Sequence, residues 1–211
     1  MSKHAALLFA TSGHSGVDRV VANLVPEFGR SNYCFDLLLI RGHGPYLASV
    51  PSNVRVSQLL AGSKRTVLPA LSWYLLRHRP EALLTANHHL NRAALVARKL
   101  TRAKTRIAIR MGMSLAAKGQ DMSSPKQRAL FSSMQRWYPK ADAVITPSNG
   151  VAKDLRSIAG VSPQRLHVIR NPIVNERFYS LSKEAADHPW LNSPDCPVIV
   201  SVGSLEPRKD F

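Results

Sequence analysis

The residues best suited to chemistry form a short turn near the start of the chain, Thr11-Ser12-Gly13-His14-Ser15-Gly16. Two glycines among small polar side chains let the backbone turn its N–H groups past the end of a strand. A helix start immediately afterwards favours an anion, phosphate above all. A second polar cluster, Asn87-His88-His89 with Asn91 just beyond, lies between a strand-like and a helix-like segment. Adjacent histidines without a nearby carboxylate or a partner at i, i+4 do not make a ligand set, so no metal site is expected. Cys34 and Cys196 show neither metal-ligand spacing nor a disulfide framework, which suits a reducing cytosol.

The apolar pattern supplies a frame for these loops. Ala5, Leu7, Leu8 and Phe9 read as a buried strand, and Val17, Val20, Val21, Leu24 and Val25 share one face of a helix. Further strands are expected at Cys34–Ile40, Val54–Leu59, Glu81–Ala86, Thr105–Arg110, Ala143–Thr146 and Leu166–Ile169. Helices are expected from near Thr66 to before Pro80, from Leu90 to Leu100, from Pro125 to Tyr138 and from Asn149 to Ala159. Ser124-Pro125 gives one of them a cap and a first-turn proline, and Ser148 caps another. Strands and helices alternate throughout, which implies an α/β fold, a doubly wound parallel sheet of Rossmann-like type with helices on both faces. In such sheets ligands lie outside the carboxyl ends of the strands, where the turn at Gly13–Gly16 falls.

From Ile173 to Pro197 the periodicity fades among prolines, and Val198–Val202 then reads as a new buried strand ending in Gly203. The expected division is a domain over residues 1–175, a linker over 176–196 and the start of a second domain over 197–211. The long loop Met111–Ser124 has the length of a functional or mobile segment.

The charge is lopsided, with 29 Lys+Arg against 13 Asp+Glu for a formal +16. That excess calls for an anionic partner, whether nucleic acid, an acidic membrane surface or phosphorylated small molecules. Ala82 to Gln120 holds no acidic residue but eight cations, from Arg92 to Lys118. This stretch is a solvated basic face, a membrane-docking face or a nucleic-acid contact. No apolar run reaches the roughly 18 residues of a membrane span, and the N-terminus carries no recognisable export signal. A cytoplasmic protein, peripheral on the inner face of the cell membrane, is the expectation.

Four motifs in order resemble the family-4-type glycosyltransferases of the GT-B fold, in which two Rossmann-like domains close over a cleft. They are Ser12–Leu24 (SGHSGVDRVVANL), Pro147–Leu155 (PSNGVAKDL), Val168–Ile173 (VIRNPI) and Val202–Phe211 (VGSLEPRKDF). The resemblance covers nearly the whole chain as an N-terminal, acceptor-side domain plus the first strand of the nucleotide-sugar-binding domain. It implies transfer of a sugar, with retention, from a UDP- or GDP-linked donor to a glycan or lipid-linked acceptor in cell-envelope polysaccharide or lipopolysaccharide synthesis. The nucleotide-sugar is then a substrate, and no cofactor is implied.

Under that resemblance Gly13, Ser15, Gly16 and Asn91 belong to the acceptor and donor-phosphate loops, and Gly203, Arg208 and Lys209 to the donor diphosphate. Ser204 stands where the family usually has an Arg, and Arg208 substitutes for it in charge but not necessarily in position. His88 matches a cleft-facing His after the fourth strand; its plainer role is a cap or a hydrogen bond within the loop. Arg110 falls where many members carry a His. A guanidinium does not shuttle protons, so its role there is electrostatic, or else it is a surface charge. Asn171-Pro172 reads as a rigid turn. The family's paired glutamates are missing, so the chain as given is expected to be inactive alone. A nicotinamide enzyme is disfavoured because Gly13-x-x-Gly16 lacks the Gly-x-Gly-x-x-Gly spacing. A nucleic-acid partner is not expected, since no known module appears and aromatics do not interleave with the cations. A non-catalytic interaction module of the same fold is the alternative.

Overall fold

The computed structural model describes residues 3–9, 15–40, 50–59, 66–112, 115, 124–191 and 197–202. The chain divides into two units, Met1–Ile173 and Val174–Phe211. In the first, seven parallel strands form one sheet in the order β3-β2-β1-β4-β5-β6-β7. They are β1 (Lys3–Leu8), β2 (Tyr33–Leu39), β3 (Val54–Gln58), β4 (Ala82–Ala86), β5 (Arg106–Arg110), β6 (Ala143–Thr146) and β7 (Leu166–Val168). The helices are α1 (Gly16–Gly29), α2 (Val67–His78), α3 (His88–Thr101), α4 (Pro125–Trp137) and α5 (Asn149–Ala159). The doubly wound expectation is met; each expected strand and helix of this unit is present to within two residues at its ends, except that α1 runs four residues past Val25 to Gly29.

Right-handed crossovers decide which face each helix takes. The chain steps from β1 to β2 and β3 in one direction, which puts α1 on one face. It then crosses back to β4 and continues to β7, which puts the later helices on the other. The alternation along β1 shows the result. Ala5, Leu7 and Phe9 pack with Val21 and Val25 of α1, whereas Ala6 and Leu8 join Leu71, Leu90, Met134 and Leu155 from the other four helices. Leu8, Leu37, Leu83, Ile107 and Val144 have no exposed surface, so the central strands are covered on both sides.

One polar residue interrupts this core. Asp36 of β2 is buried and bound by Arg55 at 2.9 and 2.7 Å, by the Tyr74 hydroxyl at 2.6 Å, and lies 3.1 Å from His4. Burial raises a carboxyl pKa, but the hydrogen bonds from Arg55 and Tyr74 and the nearby positive charge outweigh it, leaving Asp36 below its usual value. Its partners come from three other elements, so the cluster ties β1, β2, β3 and α2 together.

In the second unit a short helix, α6 (Glu176–Ser182), is capped by Asn175, whose side chain accepts from the Phe178 N–H at 2.9 Å. The sequence pattern did not reveal it, because none of its residues is buried and so no apolar stripe marks it. The strand expected at Val198–Val202 is absent: these residues have no regular secondary structure, and Ile199 is 96% exposed. A strand exists only through pairing, and no strand among the described residues pairs with this run.

Candidate functional site

All strands are parallel, so their carboxyl ends form one edge, and the sheet order reverses between β1 and β4. Crevices outside that edge at a reversal are where open α/β sheets hold ligands. The described candidate residues gather there: Ser15 and Gly16 after β1, His88 and Asn91 after β4, Arg110 as the last residue of β5. Gly13, Gly203, Arg208 and Lys209 lie outside the described residues.

The start of α1 is a full capping box. The Asp18 N–H donates to Ser15 Oγ at 3.3 Å, and Asp18 Oδ2 accepts from the Ser15 N–H at 2.9 Å and from its hydroxyl at 2.5 Å. Ser15 is therefore committed to the helix, and buried Asp18 meets part of the helix's positive end. The N–H groups of Gly16 and Val17 make no intrahelical bond and remain the donors suited to an anion. A Cβ built on Gly16 meets nothing within 4 Å, so the fold does not require glycine there.

At the end of β4 the backbone is strained. Asn87 has φ 73° and ψ 155°, a conformation close to one that glycine alone adopts freely. Its side chain caps α3 by accepting from the Leu90 N–H at 3.1 Å. This places His88 in the first turn of α3, half-buried, with Nδ1 3.3 Å from the Tyr138 hydroxyl. Burial, reinforced by the charges on His89 and Arg92, lowers the His88 pKa to about 4. His88 is thus neutral near pH 7.

Behind it lies a fully buried hub. Asn91 accepts from Thr85 Oγ1 at 2.8 Å and donates to the Arg110 carbonyl at 3.1 Å and to the Tyr138 oxygen at 3.3 Å. Asn91, Thr85 and Tyr138 all have 0% exposure. Asn91 therefore holds the wall of the site rather than facing it. Because the Tyr138 oxygen already accepts from Asn91, its own hydrogen is left for His88 Nδ1 or, at 3.9 Å, Met111 Sδ. A bond to Nδ1 leaves the His88 proton on Nε2, the ring's other nitrogen.

Arg110 is not a surface charge. It is 9% exposed, its guanidinium donates to Asn171 Oδ1 at 2.6 Å, and it packs so closely over Gly112 that a Cβ there would sit 3.1 Å from Nη1. Among the described residues no carboxylate pairs with it, and burial lowers its pKa from the usual arginine value. A buried cation without a counter-charge is costly, and an anion arriving at this edge would relieve it. Asn171-Pro172 does more than turn the chain, since the Pro172 carbonyl also accepts from Asn23 of α1 at 2.5 Å. Tyr138 and Asn171 were not legible as site residues: one looks like a core aromatic and the other like a turn, and only the fold brings them to Arg110 and His88. Ser148 is a plain cap, accepting from the Val151 N–H at 3.3 Å. No helix among the described residues is long and apolar enough to cross a membrane.

Fold and edge together define a Rossmann-type domain with a half-buried neutral histidine and a buried cation at the carboxyl edge of its sheet. Residues 15–172 match the family model described as "Glycosyl transferase 4-like domain", and the chain belongs to that family. Among solved structures it is similar to the lipopolysaccharide outer core galactosyltransferase WaaB in its apo form, at 16% identity and TM-score 0.58, covering 80% of this chain and 45% of that one. It is also similar to the UDP-GlcNAc 2-epimerase of Neisseria meningitidis bound to UDP-GlcNAc (14% identity, TM-score 0.60, 85% of this chain and 50% of that one). A third is Anabaena Alr3699/HepE in complex with UDP and glucose (15%, 0.54, 79% and 44%). At these identities the likeness shows the GT-B-type half-fold alone. The chain spans at most half the length of these three structures. No curated protein matches it.

Proposed function

We propose that this domain is the acceptor-side half of a glycosyltransferase that moves a sugar, with retention, from a UDP- or GDP-linked donor to a glycan or lipid-linked acceptor of the cell envelope. The single observation that carries the reading is Arg110, a buried guanidinium at the carboxyl end of β5 that has no carboxylate partner among the described residues. Departure of a nucleotide diphosphate develops negative charge, and a fixed cation in a shielded crevice stabilises that charge without reorganising. The Gly16 and Val17 N–H groups add donors from the start of α1. Neutral His88 serves as a hydrogen-bond donor through Nε2 to a sugar hydroxyl.

The fold also carries epimerases, so the family match rather than the architecture favours transfer. Support for a UDP-linked donor comes from the UDP and UDP-GlcNAc bound in two of the similar structures. A peripheral position on an anionic membrane surface would bring the domain near lipid-linked acceptors.

The test is nucleotide release from a panel of UDP- and GDP-sugars, run on the 211-residue chain and, where the reading frame continues past Phe211, on the extended chain. Turnover is expected with the extended chain and at least a hundredfold loss with Arg110→Met. Release from no donor would overturn the reading in favour of a non-catalytic interaction module.

A further inference from the structure

The basic stretch of the sequence divides into two poles once folded. Arg110 lies at the carboxyl edge, but the ends of α3 and α4 and the start of β5 bring other cations together at the opposite, amino edge of the sheet. They surround an open concavity of about 590 Å³ lined by Arg98, Lys99, Arg102, Lys104, Arg106 and Lys140. Its lining contains one carboxylate, Asp142, which is paired with Arg98 and also accepts from the Ile107 N–H at 2.7 Å. Among the described residues Lys99, Arg102, Lys104 and Arg106 have no ion-pair partner, and all four are exposed. Like charges crowded around one hollow repel one another, and a bound anion relieves that repulsion.

The surroundings select the kind of anion. α2 and α3 pack side by side and both end at this edge, where Leu76 is 53% and Leu100 67% exposed. Exposed leucine beside lysine and arginine is the pattern of a surface that sits in a lipid headgroup layer. A nucleic acid would want open aromatic faces for its bases. The aromatic ring in the hollow, Trp137, already carries Lys140 at 4.6 Å and Arg136 at 5.7 Å from its centre.

We propose that this hollow docks the phosphate headgroups of an anionic membrane, with Leu76 and Leu100 entering the interface beside it. The proposal rests on the peripheral-membrane part of the functional reading and gives it a location. β5 separates the hollow from Arg110 by ~13 Å of strand, so membrane binding and donor binding are separable.

The experiment is co-sedimentation of the full chain with phosphatidylglycerol-containing and pure phosphatidylcholine vesicles, with circular dichroism as a check on folding. The expected result is binding to anionic vesicles alone. At about fivefold per cation, Arg102→Glu with Lys104→Glu should weaken it at least 25-fold. The charge-matched pair Lys153→Glu with Arg156→Glu on α5 should change it far less, and Leu76→Ser with Leu100→Ser should weaken it several-fold. If anionic vesicles bind but the Arg102/Lys104 pair changes nothing beyond the α5 pair, the hollow is not the site, although a peripheral protein remains. Equal binding to neutral and anionic vesicles, or none to either, overturns the peripheral reading itself. Calorimetric binding of inorganic pyrophosphate without vesicle binding would make the hollow a soluble-phosphate site. Tighter retention of an RNA or DNA oligonucleotide than of vesicles, lost in the same variant, would make it a nucleic-acid site; either result refutes a membrane dock.

Discussion

Replacing Asn91 tests whether the candidate site is built on a buried polar hub. Asn91→Leu keeps the volume but removes three hydrogen bonds, at 2.8, 3.1 and 3.3 Å. It strands the Thr85 hydroxyl and one acceptor site on the Arg110 carbonyl, in a region where Thr85 and Tyr138 have no exposed surface. Each unsatisfied buried group costs about 1–3 kcal/mol, so a total near ~4 kcal/mol is expected. Thr85→Val alone strands only the Asn91 carbonyl oxygen and should cost ~1–2 kcal/mol. In the double variant the Thr85 hydroxyl and the Asn91 oxygen are both gone. The combined loss should therefore fall short of the sum by ~1–2 kcal/mol. Equilibrium urea unfolding at pH 7, followed by far-ultraviolet circular dichroism, measures all three. Costs that add to within ~0.5 kcal/mol, or an Asn91→Leu variant within ~1 kcal/mol of wild type, would refute the hub.

Other consequences follow from individual groups. His88 has a folded pKa of about 4, below the ordinary histidine value of 6.5, so the unfolded chain takes up this proton first. Its contribution to stability is fully present above pH ~6.5 and lost as pH falls toward 4; His88→Gln should flatten that part of the stability curve, and the His88 ring should still be neutral by NMR at pH 5.5. Asp36 lies below its usual pKa, so Asp36→Asn should cost ~2 kcal/mol at neutral pH, with the gap to wild type closing as acid protonates the native carboxylate. Gly16→Ala meets no neighbour and should leave thermal stability equal or slightly raised, by up to ~1 kcal/mol, while weakening nucleotide-sugar turnover in the extended chain. Arg110→Met should keep stability to within ~1 kcal/mol, because it removes a buried cation that has no ion pair among the described residues; a loss well above that would assign Arg110 a structural role instead.

The sequence by itself determined the succession of strands and helices, because burial on both faces writes continuous apolar runs for parallel strands and a 3.6-residue period for the helices that cover them. It also determined the cap at Ser148, whose bond reaches only three residues on, whereas Ser124, read the same way, makes no side-chain cap bond, and the caps at Ser15 and Asn87 emerge only in the folded turns. Where tertiary contact decides, the sequence was silent or misleading. Val198–Val202 has strand composition without a neighbour to pair with, and α6 has helical bonds without a buried face to announce it. Arg110 could be read as one more cation in a basic stretch until β5 ended it beneath Asn171, 61 residues on. Tyr138 reaches His88 and Asn91 only because α4 returns over α3, bringing together groups 50 and 47 positions apart. The same folding divides one run of lysines and arginines between two edges of the sheet, since helix and strand reverse direction between Arg98 and Arg110. Charge and apolar period are properties of the chain, while burial, partnership and the edge on which a residue emerges belong to the packed sheet.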